Sequence, residues 1–189
     1  MQFKNTYLQY GAVAKFFHWL IFFMVAGLLV VGTIMSDMEF SPQMLELYGL
    51  HKAIGIMLLA LVVLRVLWKM VNISPTLPDT LNAMQKLGAK SAHWLLYGLL
   101  VAMPLSGWAM SSAAGFPVSV FGLFTLPDLV GKSEDLHDFF EDAHEIMANG
   151  LMLLVGLHSL AALVHHFYYK DNVLRSMLPF VRVKNEQNH

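Results

Sequence analysis

The chain has 189 residues, of which 57% are hydrophobic and 13% charged, with a formal net charge of −1. This is too apolar for a soluble domain with a mixed surface, and without a basic excess no nucleic-acid partner is expected. Cysteine is absent, which excludes disulfides, cysteinyl iron–sulfur clusters and covalent haem attachment through C-x-x-C-H.

The N-terminal segment, Met1 to Gly11, is polar, and no small-residue cleavage site follows the first apolar run, so a removable signal peptide is not expected. Four stretches then reach the ~20 residues that cross about 30 Å of hydrocarbon at roughly 1.5 Å per residue. They are residues 14–35, 53–71, 93–114 and 146–168. The expected fold is all-α, an integral membrane four-helix bundle in contact with membrane lipid, forming one transmembrane domain over residues 1–189. The connection around Gly115 to Glu145 carries turn signals and then an acidic run, which predicts an amphipathic surface helix ahead of the fourth span.

Charge placement predicts the orientation. Lys4, Lys15, Arg65, Lys69, Lys86, Lys90, Lys170, Arg175, Arg182 and Lys184 fall on one side of the four spans, and only Lys52 and Lys132 on the other. The positive-inside rule puts both termini in the cytoplasm. The outward side holds Asp37, Glu46, Asp135, Asp138, Glu141 and Glu145 among its ten acids.

Nine histidines in so apolar a chain carry the chemistry, because an ionisable group inside the membrane is costly without a partner or a task. His18 lies in the cytoplasmic half of the first span and His51 at the outer start of the second. His93 opens the third span on the inner side, and His144 precedes the fourth on the outer side, with His158 within it. His144 and His158 are 14 residues apart, which returns to nearly the same helix face about 21 Å further along the axis. A b-type haem clamped between helices takes one imidazole from each of two helices at matched depth. Depth therefore pairs His51 with His144 around an outer haem and His18 with His158 around an inner one, giving two haem b per chain with these four residues as iron ligands. His165 shares the stripe but lies near the cytoplasmic end of the span. His137, His166 and His189 are expected at wet or interfacial positions. Arg65 either snorkels to the interface or pairs with a haem propionate, and Lys52, beside His51, is a similar candidate.

The ordered set Phe17-His18-Trp19-Leu20, Leu50-His51-Lys52-Ala53-Ile54-Gly55, Ser91-Ala92-His93-Trp94-Leu95-Leu96-Tyr97 and Gly156-Leu157-His158 through His165-His166-Phe167, then Lys170-Asp171-Asn172, resembles the bacterial cytochrome b561 family of dihaem membrane cytochromes. The resemblance implies axial ligation by His18, His51, His144 and His158, with His93, His165 and His166 as typical non-ligands near the inner haem or quinone. It also implies a bacterial inner-membrane oxidoreductase moving electrons between a periplasmic donor and quinone, ubiquinone in particular. One branch of the family oxidises superoxide, yet the acidic outer face would slow an anionic donor and suits a cationic or neutral periplasmic protein better. The main alternative is a haem-carrying membrane anchor of a larger dehydrogenase, which the short termini disfavour. A haem-free transporter using the histidines as a metal or proton path is a third reading, separable by an absorbance scan.

Overall fold

The computed structural model describes residues 2–76, 81–181 and 183. Arg182 and Lys184, two of the bases assigned to the cytoplasmic side, and His189 lie outside the described residues. In chain order the elements are α1 (Ala12–Ser36), α2 (Pro42–Met70), α3 (Ala83–Ala113), β1 (Ser119–Val120), β2 (Phe124–Thr125), α4 (Glu134–Val164), a π-helical turn (His165–Tyr169) and α5 (Val173–Met177). Four helices are long and apolar enough to cross a membrane, α4 together with its π-turn as far as Tyr169. The class is a four-helix membrane bundle.

Three of these helices begin well before their apolar stretches, at Pro42, Ala83 and Glu134. Helical hydrogen bonds are internal to the segment, so a helix does not stop at the hydrocarbon boundary but at a sequence that caps or breaks it. Ser41 Oγ accepts the Met44 N–H at 3.2 Å, with Pro42 at the first helical position. Asn82 and Gln85 exchange side-chain-to-backbone bonds at 2.9 Å ahead of α3, a capping-box arrangement. Glu134 and Asp135 occupy the first turn of α4, where the helix dipole favours negative charge. The separate surface helix expected there is instead the first three turns of α4.

Packing divides the chain into two compact units. The first comprises Met1–Leu20, Val63–Leu96 and Leu153–His189. In it the N-terminal segment is stitched to the α2–α3 connection by Asn5 Nδ2 donating to Ile73 O at 2.7 Å and Thr76 N to Tyr7 O at 3.0 Å. Trp19 Nε1 donates to Met177 O at 3.0 Å and Lys15 Nζ to Leu178 O at 2.9 Å, fastening α1 to the end of α5. The second unit, Ile21–Val62 and Tyr97–Met152, contains the buried side chains Val25, Ala53, Leu58, Val62, Ala109, Ala113 and Leu151. There α3 ends at Gly115 (φ 79°), with Phe116 N–H bonded back to Ser111 O at 2.9 Å, a glycine-terminated helix end. The following loop folds onto α3: Trp108 Nε1 donates to Pro127 O at 3.0 Å and Leu129 N to Ser112 Oγ at 3.2 Å. Phe16, Phe23 and Val30 are exposed at seven-residue spacing along α1, the lipid-facing counterpart of a polar face in water.

Gly11 sits so close to the Phe3 and Lys4 carbonyls that an added Cβ would overlap both, and its N–H donates to Asn5 Oδ1 at 2.9 Å. Gly11→Ala is expected to lower the thermal midpoint in detergent by several degrees. An unchanged midpoint would mean that this turn yields without cost.

Candidate functional site

Each unit holds one histidine cluster. In the second unit, His51 from α2 faces His144 from α4, with ring centroids 6.5 Å apart and planes at 70°. Val25, Leu28, Leu29, Gly55, Leu58, Met103, Pro104 and Leu151 line the cleft around the two rings, an apolar wall that excludes water from the imidazoles. His51 Nδ1 is buried and has no hydrogen-bond partner among the described residues. His144 Nδ1 meets Ser106 Oγ at 2.9 Å. A Cβ on Gly107 would come within 3.0 Å of His144 Cε1, and one on Gly32 within 3.5 Å of His51 Cε1. Glycine at 107 is thus what lets the His144 ring lie against α3. Next to His51, Lys52 Nζ donates to Ser111 Oγ at 3.1 Å and to Pro117 O at 3.4 Å.

In the first unit, His18 from α1, His93 from α3 and His158 from α4 converge. The His18–His158 centroids are 6.3 Å apart and the His93–His158 centroids 5.4 Å. Arg65 from α2 brings Nη2 to 3.3 Å from His18 Nδ1. Lys69 lies over the Trp94 ring at 5.7 Å. Further along, His165 Nδ1 and Asp171 Oδ2 are 2.6 Å apart, and Asp171 Oδ1 accepts the Val173 N–H at 2.9 Å. Lys170, in the left-handed region at φ 54°, turns the chain between the partners.

Residues 9–180 match the family described as prokaryotic cytochrome b561. This chain belongs to the prokaryotic cytochrome b561 family. It is 36% identical to cytochrome b561 homolog 2 of Escherichia coli (strain K12), over 94% of this chain and 95% of that protein. It is 30% identical to the probable superoxide oxidase CybB of Yersinia pestis, over 93% and 96%. Identity to cytochrome b561 homolog 1 of Escherichia coli (strain K12) is 29%, over 90% and 97%.

As a cytochrome b561 the chain is a multi-pass protein of the bacterial inner membrane, a b-type haem cytochrome of electron transport. The donor set fits such a group: paired imidazoles in an apolar cleft, one with an orphaned buried nitrogen and one in a cradle that a Cβ would fill. Arg65 touches the His18 cluster, and Lys52 is tied to α3 and the loop after it. His166 is half-exposed, and its Nδ1 is buried without a partner among the described residues. The sequence alone gives Ser106 and Gly107 no role at the site. The only signal was a small polar pair in mid-span after Pro104, and that pattern equally describes ordinary helix packing.

Gly107→Val is expected to push the His144 ring aside and lower the haem bound per purified chain, measured by pyridine haemochrome. Gly150→Ala, where an added Cβ meets nothing within 4 Å, should leave haem content unchanged.

Proposed function

We propose that this chain is a dihaem cytochrome passing electrons between a periplasmic donor and ubiquinone, with His51 and His144 as axial ligands of an outer haem and His18 and His158 as those of an inner haem. Ring spacing carries the reading. Two imidazole nitrogens about 2.0 Å from one iron, each roughly 1.1 Å ahead of its ring centroid, put the centroids about 6.3 Å apart. His51–His144 at 6.5 Å and His18–His158 at 6.3 Å meet that span, whereas His93–His158 at 5.4 Å is too close to admit the iron. His93 is therefore a neighbour of the inner haem and a donor or acceptor for quinone, not a ligand.

When bound, haem supplies a reversible one-electron iron couple; the chain holds the imidazoles, keeps water out and offers cations to the propionates. Arg65 and Lys52 are the cations proposed for that task. Arg65 can only donate, so in its contact with His18 it meets a lone pair on Nδ1. For His18 to present Nε2 to iron, the ring proton must move to Nδ1, and the guanidinium must turn to an anion instead. Lys52 is bonded to two neutral oxygens and has a third hydrogen for a carboxylate.

The donor reading follows from α4. Glu134, Asp135, Asp138, Glu141, Asp142 and Glu145 are all exposed, and at about 100° per residue they fall within roughly 120° of arc. Like charges three and four residues apart destabilise a helix, and a cationic partner relieves that repulsion while being steered by it. The stripe ends beside His144, so a basic periplasmic electron-transfer protein is the donor that fits it. Superoxide is the second reading, favoured by the 30% identity to the Yersinia pestis relative. Lys52 and Lys132 are the only bases on that side to attract it.

The purified protein is expected to show a b-type reduced-minus-oxidised spectrum with two haems per chain, and His144→Ala to retain about half of that haem while the other centre still titrates. No haem in wild type, or full haem in the variant, would sink the respective claim. Reduction by a basic soluble cytochrome should slow with added salt and with Asp138→Lys/Glu141→Lys. Faster oxidation of superoxide by that charge-reversed variant would mark the acids as a barrier and favour the second reading.

A further inference from the structure

Ser106 lies two residues after Pro104 inside α3 and is 6% exposed. Its hydroxyl has a single hydrogen, and the Met103 carbonyl, which can only accept, takes it at 2.8 Å. With that hydrogen on Met103, Ser106 Oγ has only lone pairs to offer His144 Nδ1, 2.9 Å away. The contact is a hydrogen bond only when Nδ1 carries the ring proton, which makes Nε2 the unprotonated nitrogen. The neighbouring glycine supports the same orientation: a Cβ at Gly107 would lie 3.0 Å from Cε1, 3.3 Å from Nδ1 and 3.9 Å from Nε2. The Nδ1 edge of the ring is thus turned toward α3, and Nε2 is the farther nitrogen.

We propose that Ser106 is the positioning residue of the outer haem, accepting a hydrogen bond from the His144 Nδ1–H so that Nε2 is held unprotonated for the iron. The proposal rests on the haem reading of His51 and His144. Within that pair only His144 is oriented this way, since His51 Nδ1 is buried without a partner among the described residues. The chain of two bonds also acts on the ligand's electronics. Donation to Met103 polarises the hydroxyl into a better acceptor, and a hydrogen bond to the second ring nitrogen makes an imidazole a more basic ligand. A more basic ligand favours ferric over ferrous iron. Loss of the hydroxyl should loosen the outer haem and raise its potential while leaving the inner haem, ligated elsewhere, as it was.

The test compares full-length wild type, Ser106→Ala and Ser106→Thr in detergent by potentiometric titration of the visible bands and by haem transfer to excess apomyoglobin. In Ser106→Ala one haem is expected to change its reduction equilibrium about tenfold toward ferrous, an upward shift of about 59 mV for one electron, and to be lost about tenfold faster. The second haem should be unmoved, and Ser106→Thr, which keeps the hydroxyl, should behave as wild type. Unchanged potentials in Ser106→Ala, or an equal shift of both haems, would overturn the assignment while the dihaem reading stands. Wild-type protein without haem would overturn that reading instead. Should Ser106→Ala not fold, Ser106→Cys replaces it, a weaker acceptor expected to give a smaller shift of the same single haem; no shift would again overturn the proposal.

Discussion

Inside a bilayer every polar group needs a partner supplied by the protein, because no water competes for the role. Backbone groups meet this requirement by forming helices. Imidazoles cannot, and their side chains must find partners on other helices or on nearby turns. The histidines of this cytochrome b561 show the constraint at work: His144 is held by Ser106, His18 by Arg65 and His165 by Asp171. His51 and His166 keep a buried nitrogen that no described residue satisfies. Buried nitrogens of this kind are where a ligand has most to offer the protein.

The clusters solve the same problem with opposite chemistry. In the second unit a hydroxyl meets the imidazole: Ser106, when it donates to the Met103 carbonyl, faces His144 Nδ1 as an acceptor. In the first unit the partner is a guanidinium that can only donate, which leaves the proton on the other nitrogen of His18. One imidazole thus has a partner that can give or take a hydrogen bond, and the other a partner that can only give one. Preorganisation of this kind is set by which neighbour a helix happens to present, not by the histidine itself.

Charge is as uneven as hydrogen bonding. In chain order the bases gather around the start of α1, from the end of α2 into the start of α3, and after α4, while α4 opens with an acidic stripe. Helix continuity joins this stripe to the imidazole: the segment that carries the acids belongs to the same helix as His144, which stands between Asp142 and Glu145.

Much of this was legible in one dimension because lipid imposes a one-dimensional code. Apolar length marks each of the four helices, Lys and Arg counts mark a side, and the depth of a histidine follows from its distance to the end of its stretch. Where α2, α3 and α4 begin was less legible, since caps at Ser41 and Asn82 and the acidic first turn at Glu134, not hydropathy, determine the helix starts. The sequence by itself determined the class, the apolar stretches and which histidines lie at comparable depth. Only the tertiary structure decided that His93 stands nearer His158 than His18 does, that Gly107 makes room for a ring, and that Ser106 faces His144. Those facts depend on rotation about each helix axis and on which faces meet, and rotation is settled by packing between helices that the order of residues along any one of them does not record.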